Sequence, residues 1–432
     1  MKIANFRYVV LATNVAVLIM NYADRSALGV AAPLITAHFH IDLAAMGLIF
    51  GAFALTYAPS CFLGGWLADR FGPRRVMTAA LAWWSLMTAA TAACFSFTSF
   101  AVQRLLFGVG EGPQGAVTAR TMTNWFPERE YATAVGLCFA ANPLGAAIGT
   151  PVVAAILILS DNNWRAPFLA LGAIGLAVSL LWYIVVRDRP RSHPLVTARE
   201  AAHIGSAGDG TAPADAEDHV APPAGFYLRQ SAVWGNALAF FGFNWVIFML
   251  QSWYPVFLIQ VHHVDLKQLA WTGAIPRVGG SIGTALGGYL SDAIARRTGN
   301  AFATRKWVAV GALGAGAVLT LLAAAAHDFT EAVALLTSAV LMLYLTNAQF
   351  FALVRASVHR ARLGTVTGFV HFCANCAAIV APAITGFVVQ GLKSWELAFG
   401  LAAAIAAAGC VALALSRRPR EQVGLVKVSH PM

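Results

Sequence analysis

Gly64-Gly-Trp-Leu-Ala-Asp-Arg-Phe-Gly-Pro-Arg-Arg75 returns in altered form as Gly287-Gly-Tyr-Leu-Ser-Asp-Ala-Ile-Ala-Arg-Arg297. Each copy follows a glycine-rich apolar run and closes on a short loop bearing Asp and Arg. Each also falls between the second and third bilayer-length apolar stretch of its half of the chain. A duplicated membrane unit accounts for both copies, and this arrangement is the plan of a secondary transporter.

Composition excludes the soluble classes. Of 432 residues 59% are hydrophobic and 11% charged, with a mean hydropathy of +0.67, whereas a soluble domain carries about 25% charge. The net charge of +10 and pI near 9.6 would suit a nucleic-acid binder, but the placement of the 29 basic residues decides otherwise. If apolar stretches cross alternately, 23 lie on one side, Arg165, Lys267 and Lys393 on the other, and Arg25, Arg104 and Arg277 within spans. This positive-inside bias puts both termini and the central loop of a multi-pass protein in the cytoplasm, with lipid and not nucleic acid as its surroundings; the membrane is expected to be the bacterial inner membrane. The six cysteines all sit in apolar runs, so they imply no disulfide framework, and Cys373-x-x-Cys376 lacks the second pair a metal site needs. No metal or cofactor is expected. Lys2 and Arg7 before an apolar run imitate a signal peptide, but no small-x-small cleavage pattern follows directly, and the run is read as a retained first span.

A spanning helix takes about 20 residues, and the apolar runs divide into twelve, predicting an all-α polytopic protein of two pseudo-symmetric six-helix bundles. The expected spans are 8–34, 44–68, 76–96, 99–122, 131–158 and 165–186, then 230–259, 268–291, 306–326, 331–355, 364–391 and 395–416. The chain is accordingly read as an N-terminal bundle (1–186), a cytoplasmic linker (187–228), a C-terminal bundle (229–416) and a cytoplasmic tail (417–432). The linker reads as a tether, with a charged cluster Arg187-Asp-Arg-Pro-Arg191 pinning the sixth span and an Ala/Pro/Asp stretch over 207–224 expected to be disordered. Gly279, Gly283 and Gly287, Gly108 with Gly112, and Gly145 with Gly149 recur every four residues and predict close helix contacts. Gly64, Asp69, Arg70 and Arg74, with Asp292 in the second copy, are read as a latch of Asp, Arg and helix-end interactions that breaks when the halves rock.

Two acids lie well inside spans, Asp24 and Glu111, beside Arg25, Arg104 and Arg277. Each such charge costs at least about 2.5 kcal/mol on insertion scales, so function or a partner must repay it. Asp24 and Arg25 are consecutive and point about 100° apart, so they need not pair with each other. Arg104 and Glu111 are seven apart, on one face. Gly108, Gly110, Gly112 and Pro113 around Glu111 predict a local bend.

The doubled Gly-Gly-x-Leu-x-Asp loop, the twelve spans and the mid-chain linker resemble the major facilitator superfamily over nearly the whole chain. Asn21-Tyr-Ala-Asp-Arg-Ser-Ala-Leu28, Arg104-Leu-Leu-Phe-Gly-Val-Gly-Glu-Gly-Pro113 and Asn124-Trp-Phe-Pro-Glu-Arg-Glu-Tyr-Ala-Thr-Ala-Val-Gly136 are similar to its anion:cation symporter family. The resemblance implies a non-enzymatic, proton-coupled uptake carrier of a small organic anion, such as an aldonate, hexuronate or aldarate, working as a monomer by alternating access. It implies Asp24 and Glu111 as the proton-coupling pair and Arg25 as the anchor of a substrate carboxylate. Tyr22, Tyr57, Arg104 and Asn142, with Arg277, His371 and Asn375 from the second half, complete the substrate candidates. Anion exchange, sodium coupling, and an aromatic or dicarboxylic substrate stay open on the sequence alone, as does, more remotely, a nontransporting sensor.

Overall fold

The computed structural model describes residues 5–41, 43–205, 221–262, 264 and 275–417. The sequence between 206 and 220, most of the stretch expected to be disordered, and the tail beyond residue 417 lie outside the described residues.

Helices account for nearly all of the described residues. The first half contains α1 (Arg7–Phe39), α2 (Leu43–Phe71), α3 (Pro73–Ala90), α4 (Phe97–Glu111), α5 (Gln114–Trp125), α6 (Glu128–Leu159) and α7 (Ala166–Val185). Two short helices follow in the linker, α8 (Ala198–Gly205) and α9 (Ala224–Tyr227). The second half contains α10 (Ser231–His262), α11 (Ile275–Thr298), α12 (Ala301–Ala324), α13 (Phe329–Leu345), α14 (Asn347–Arg355), α15 (Leu363–Leu392) and α16 (Trp395–Leu415). Taking α4 with α5 and α13 with α14 as single crossings, the described helices form two bundles of six at the twelve expected spans, with residues 268–274 of the eighth outside the described residues.

Among the described residues, ten of these segments are long and apolar enough to cross a membrane by length and composition. The other two fall short for physical reasons. The fourth span is broken at Gly112-Pro113 into helices of 15 and 12 residues, because proline removes a backbone donor and crowds the preceding turn. The eighth span (α11) spends its positions on Gly279, Gly280, Gly283, Gly287 and Gly288, all buried against other helices. Added methyl groups at Gly283 and Gly287 would collide with the carbonyls of Leu341 and Leu345, so these glycines trade hydropathy for close packing of α11 on α13.

The halves meet along two seams. At one, α2 packs on α15, where Gly65, Gly364 and Gly368 bring the backbones into contact. At the other, α6 packs on α11 through Gly136 and Gly288.

The linker departs from a plain tether. Its first part folds onto the basic face of the N-terminal bundle: the Glu200 carboxylate accepts from the backbone N–H groups of Phe6 and Arg7, both at 2.9 Å. These are orphan donors at the start of α1, where no local side chain caps the helix. Arg7 also pairs with Glu130 at 3.4 Å, and His193 packs under Phe6 with ring centroids 4.2 Å apart. Burial pushes the His193 imidazole below the ordinary histidine range. In the charged cluster expected to pin the sixth span, Arg187 donates to the Tyr183 carbonyl at the end of α7 (3.0 Å) and Asp188 Oδ1 accepts from Arg74 N (2.8 Å), while the Arg187 and Asp188 carbonyls accept from Trp125 Nε1 (2.8 Å) and Asn124 Nδ2 (2.9 Å). Replacing Glu200 by Gln should speed amide hydrogen exchange over residues 5–12 about tenfold, the effect of losing one charge-assisted cap of about 1.5 kcal/mol; unchanged exchange there would show that the cap contributes nothing.

Candidate functional site

Glycine spacing sets the rotation of the helices that carry the internal charges. A methyl group at Gly108 would meet the Phe53 carbonyl and the Thr56 hydroxyl, and one at Gly112 would meet Ser60, so the fourth span lies directly on α2. Gly145 and Gly149 seat α6 on α1 at Ile19, Tyr22, Ala23 and Ser26. With both contacts made, the first and fourth spans present their charges to each other.

Arg25 meets Glu111. Its Nε and one terminal nitrogen both donate to Glu111 Oε2, each at 2.7 Å. Glu111 is fully buried, while the Arg25 side chain keeps 25% of its surface free. The guanidinium lies over three rings, those of Tyr22 (4.9 Å), Phe53 (4.8 Å) and Tyr57 (4.8 Å). Such an aromatic cage holds a cation without neutralising it. Arg104, which the sequence puts on the same helix face as Glu111, is buried over Phe107 and lies within electrostatic reach of both Glu111 and Asp24.

Asp24 is 2% exposed, and neither of its oxygens meets a donor at ordinary hydrogen-bond geometry among the described residues. The Trp84 indole N–H lies beside it, with the charges of Glu111 and Arg104 within reach. Asp24 and Glu111 thus occupy one electrostatic cluster with Arg104. Glu111 Oε1 also lacks a regular donor, and Asn21, fully buried, stands next to that carboxylate.

Residues of the second half border the cluster. His371 of α15 touches the first half at Gly115, where a methyl would lie 2.5 Å from its ring. Its ring stacks on Phe240 (5.7 Å, 18°) and meets Tyr57 edge-on (6.3 Å). Its Nδ1 has no partner among the described residues. Asn375, one turn along, donates to the His371 carbonyl at 2.8 Å. Asn142 on α6 is partly buried with its Oδ1 unpartnered among the described residues. Arg277 is exposed at the start of α11; Tyr344 lies within electrostatic reach of both Arg277 and Tyr22. Arg25, Tyr22, Tyr57 and His371 are therefore brought together, Asn375 lies beside them, and Arg277 stands apart toward the non-basic face.

The expected latch residues divide. Asp69 crosses between halves: Oδ1 accepts from Gly364 N (2.8 Å), and Oδ2 from Thr365 N (2.7 Å) and the Thr365 hydroxyl (2.8 Å). These are first-turn donors of α15, whose N-cap Arg362 gives no side-chain cap, so Asp69 caps that helix from the opposite half. Asp292 repeats the pattern on α6. It accepts from Ala132 N (3.3 Å), Thr133 N (2.7 Å) and the Thr133 hydroxyl (2.8 Å). The carbonyls one turn back, of Glu128 and Arg129, accept from Arg305 (3.0 Å) and Arg296 (3.1 Å). Arg120 stands 3.7 Å from Asp69 and Arg305 3.7 Å from Asp292. Gly64 lies against Pro113, inside the first half. Arg70 and Arg74 stay within the first half too: Arg70 stacks over Trp66 and Phe71, and Arg74 donates to the Tyr183 carbonyl at 2.9 and 2.8 Å.

Phe53, Trp84, Asn21, Arg120 and Arg305 belong to these arrangements without having been singled out from sequence. Phe53 precedes Tyr57 by one turn, a signal for a shared face. Arg305 reads as one more basic loop residue, yet is fully buried. Charge-assisted hydrogen bonds of this type contribute about 1.5–3 kcal/mol each. Changing both Asp69 and Asp292 to Asn should therefore open the basic face, raising maleimide labelling of the fully buried Cys61 at least about tenfold in a protein whose other five cysteines are Ala. Labelling as slow as in the parent would show that the two carboxylates do not hold the face shut.

The family model for the Major Facilitator Superfamily matches residues 15–304 and 294–430. The chain is 36% identical over 403 residues to the hexuronate transporter of Bacillus subtilis, covering 93% of this chain and 92% of the relative. It is 32% identical over 432 residues to a probable sulfoacetate transporter of Cupriavidus necator, covering 98% of each. Among solved structures, the proton:xylose symporter XylE bound to 6-bromo-6-deoxy-D-glucose superposes with a TM-score of 0.73 at 14% identity, over 94% of this chain and 95% of that one. With twelve crossings in two bundles and a family match across both, this multi-pass membrane chain belongs to the Major Facilitator Superfamily.

Proposed function

We propose that the protein takes a small organic anion of the sugar-acid class into the bacterial cytoplasm together with a proton, by alternating access across the inner membrane, with both termini inside. The observation that carries this reading is the Arg25–Glu111 pair, with 2.7 Å contacts beneath an aromatic cage, on an arginine side chain that is not fully buried. Arg25 can serve Glu111 or a substrate carboxylate, and a planar fork suits either. If an incoming carboxylate takes the guanidinium, Glu111 would be left as an uncompensated buried charge, which costs about 3–5 kcal/mol. A proton on Glu111 removes that penalty. Substrate and proton therefore enter together, and re-formation of the pair after the halves rock releases both.

Asp24 fits as a second proton carrier: a buried carboxyl without a direct donor is stable when neutral. Tyr22, Tyr57, Asn142, His371 and Asn375 are the groups proposed to meet substrate hydroxyls, and Arg277 a second anion contact near the external mouth. Asp69 and Asp292 are the proposed cytoplasmic gate. The hexuronate transporter among the relatives favours a sugar acid; the sulfoacetate relative favours a second reading, a shorter sulfonate-bearing acid on the same Arg25.

Proteoliposomes with an acidic exterior should concentrate labelled hexuronate above its equilibrium level, and a protonophore should abolish this. Saturable uptake indifferent to the pH gradient would overturn proton coupling while leaving the carrier. Inhibition by sulfoacetate but not hexuronate would decide for the second substrate.

A further inference from the structure

On the outer surface of the N-terminal bundle, away from the charge cluster, α2, α3 and the fourth span enclose a groove of about 450 Å³. Its walls are apolar, from Leu67, Phe71, Ala79, Trp83, Val109 and Gly110. Phe71 (48%), Trp83 (41%) and Val109 (41%) are exposed there. Arg75 lines its basic end. Of the three arginines in this loop, Arg70 is stacked on two rings and Arg74 is committed to Tyr183. Arg75 is exposed and makes no hydrogen bond, ion pair or ring contact among the described residues. From Arg75 to Trp83 is eight residues, about 12 Å along the helix axis, so the groove runs from the headgroup level into the hydrocarbon.

The geometry points to a binding site for an anionic phospholipid of the cytoplasmic leaflet, its phosphate on Arg75 and one acyl chain along Trp83 and Val109. Charge complementarity selects this occupant: an apolar slot would take any acyl chain, but an uncommitted guanidinium at its cytoplasmic end favours a net-negative headgroup, and basic recesses between spans on that side are suited to such lipids. Gly110 and Pro113 also line the groove, the first next to Glu111 and the second at the break of the fourth span. A lipid seated there packs behind the bend that carries the buried carboxylate.

The test is tryptophan quenching in vesicles containing phosphatidylglycerol or phosphatidylcholine brominated in mid-chain, taking the difference between the parent and Trp83→Phe to isolate one of the twelve tryptophans. Trp83 should be quenched about fivefold more effectively by the anionic lipid, the ratio one basic residue gives at a membrane surface. Arg75→Gln should bring the two lipids level, and inorganic phosphate should not compete. Equal quenching by both lipids in the parent would mean ordinary annular lipid only. A preference surviving Arg75→Gln, or displaced by inorganic phosphate, would overturn the assignment. Should Trp83→Phe fail to fold, native mass spectrometry of parent and Arg75→Gln carries the same decision: phosphatidylglycerol retained by the parent and lost from the variant supports the site, and equal retention sinks it.

Discussion

Glu111→Gln should abolish proton-driven accumulation while leaving exchange of external for internal substrate intact. The amide is a neutral mimic of the protonated carboxyl, so Arg25 in this variant is released to the substrate at every pH. In the proposed mechanism binding then requires no proton, and exchange needs only that the halves rock with substrate on Arg25. Accumulation in an imposed pH gradient should fall at least about tenfold, to the equilibrium level. Counterflow of labelled hexuronate should continue within about threefold of the parent. Asp24→Asn should weaken accumulation less, because the Asp24 carboxylate does not pair with Arg25; its electrostatic partners are Glu111 and Arg104, with the Trp84 indole beside it. Full accumulation by Glu111→Gln would remove that carboxyl from the coupling.

Arg25 is the position of second-largest expected effect, and a pair of variants separates its roles. Arg25→Ala strands Glu111 as a buried charge and should destabilise the protein by about 3–5 kcal/mol; adding Glu111→Gln removes the stranded charge and should recover folding. Transport should stay lost in that double variant, because no cation then remains in the cage of Tyr22, Phe53 and Tyr57. Arg25→Lys retains the charge but not the planar fork, and should leave transport with an apparent substrate affinity about 10–100-fold weaker. Thermal unfolding and hexuronate uptake measured together would distinguish these outcomes. A double variant that both folds and transports would take the substrate anchor away from Arg25.

The architecture could be read almost entirely from the chain, because bilayer thickness fixes the length of an apolar run and the duplicated Gly-Gly-x-Leu-x-Asp loop fixes its register. The break in the fourth span was visible in Gly112-Pro113. Pairing was less accessible. Arg25 and Glu111 are 86 residues apart, and which of two nearby arginines reaches the acid depends on helix rotation, set here by Gly108 and Gly112 against α2 and by Gly145 and Gly149 against α1. Spacing along one helix brought Arg104 to notice and could say nothing of a cation on another. The same holds for Asp69: its sequence context marks a loop, whereas its partners, Gly364 and Thr365, lie nearly three hundred residues on and offer only the unremarkable donors of a helix start. Glu200 escaped notice because a linker rich in Ala and charge has no periodicity to mark one carboxylate as a cap.

The most direct measurement is the number of protons taken up when purified protein binds hexuronate in weakly buffered detergent solution. Competition between Glu111 and the substrate for Arg25 predicts uptake of about one proton per ligand bound at neutral pH, disappearing in Glu111→Gln while binding persists. Binding without proton uptake by the parent, or undiminished uptake in Glu111→Gln, would contradict it.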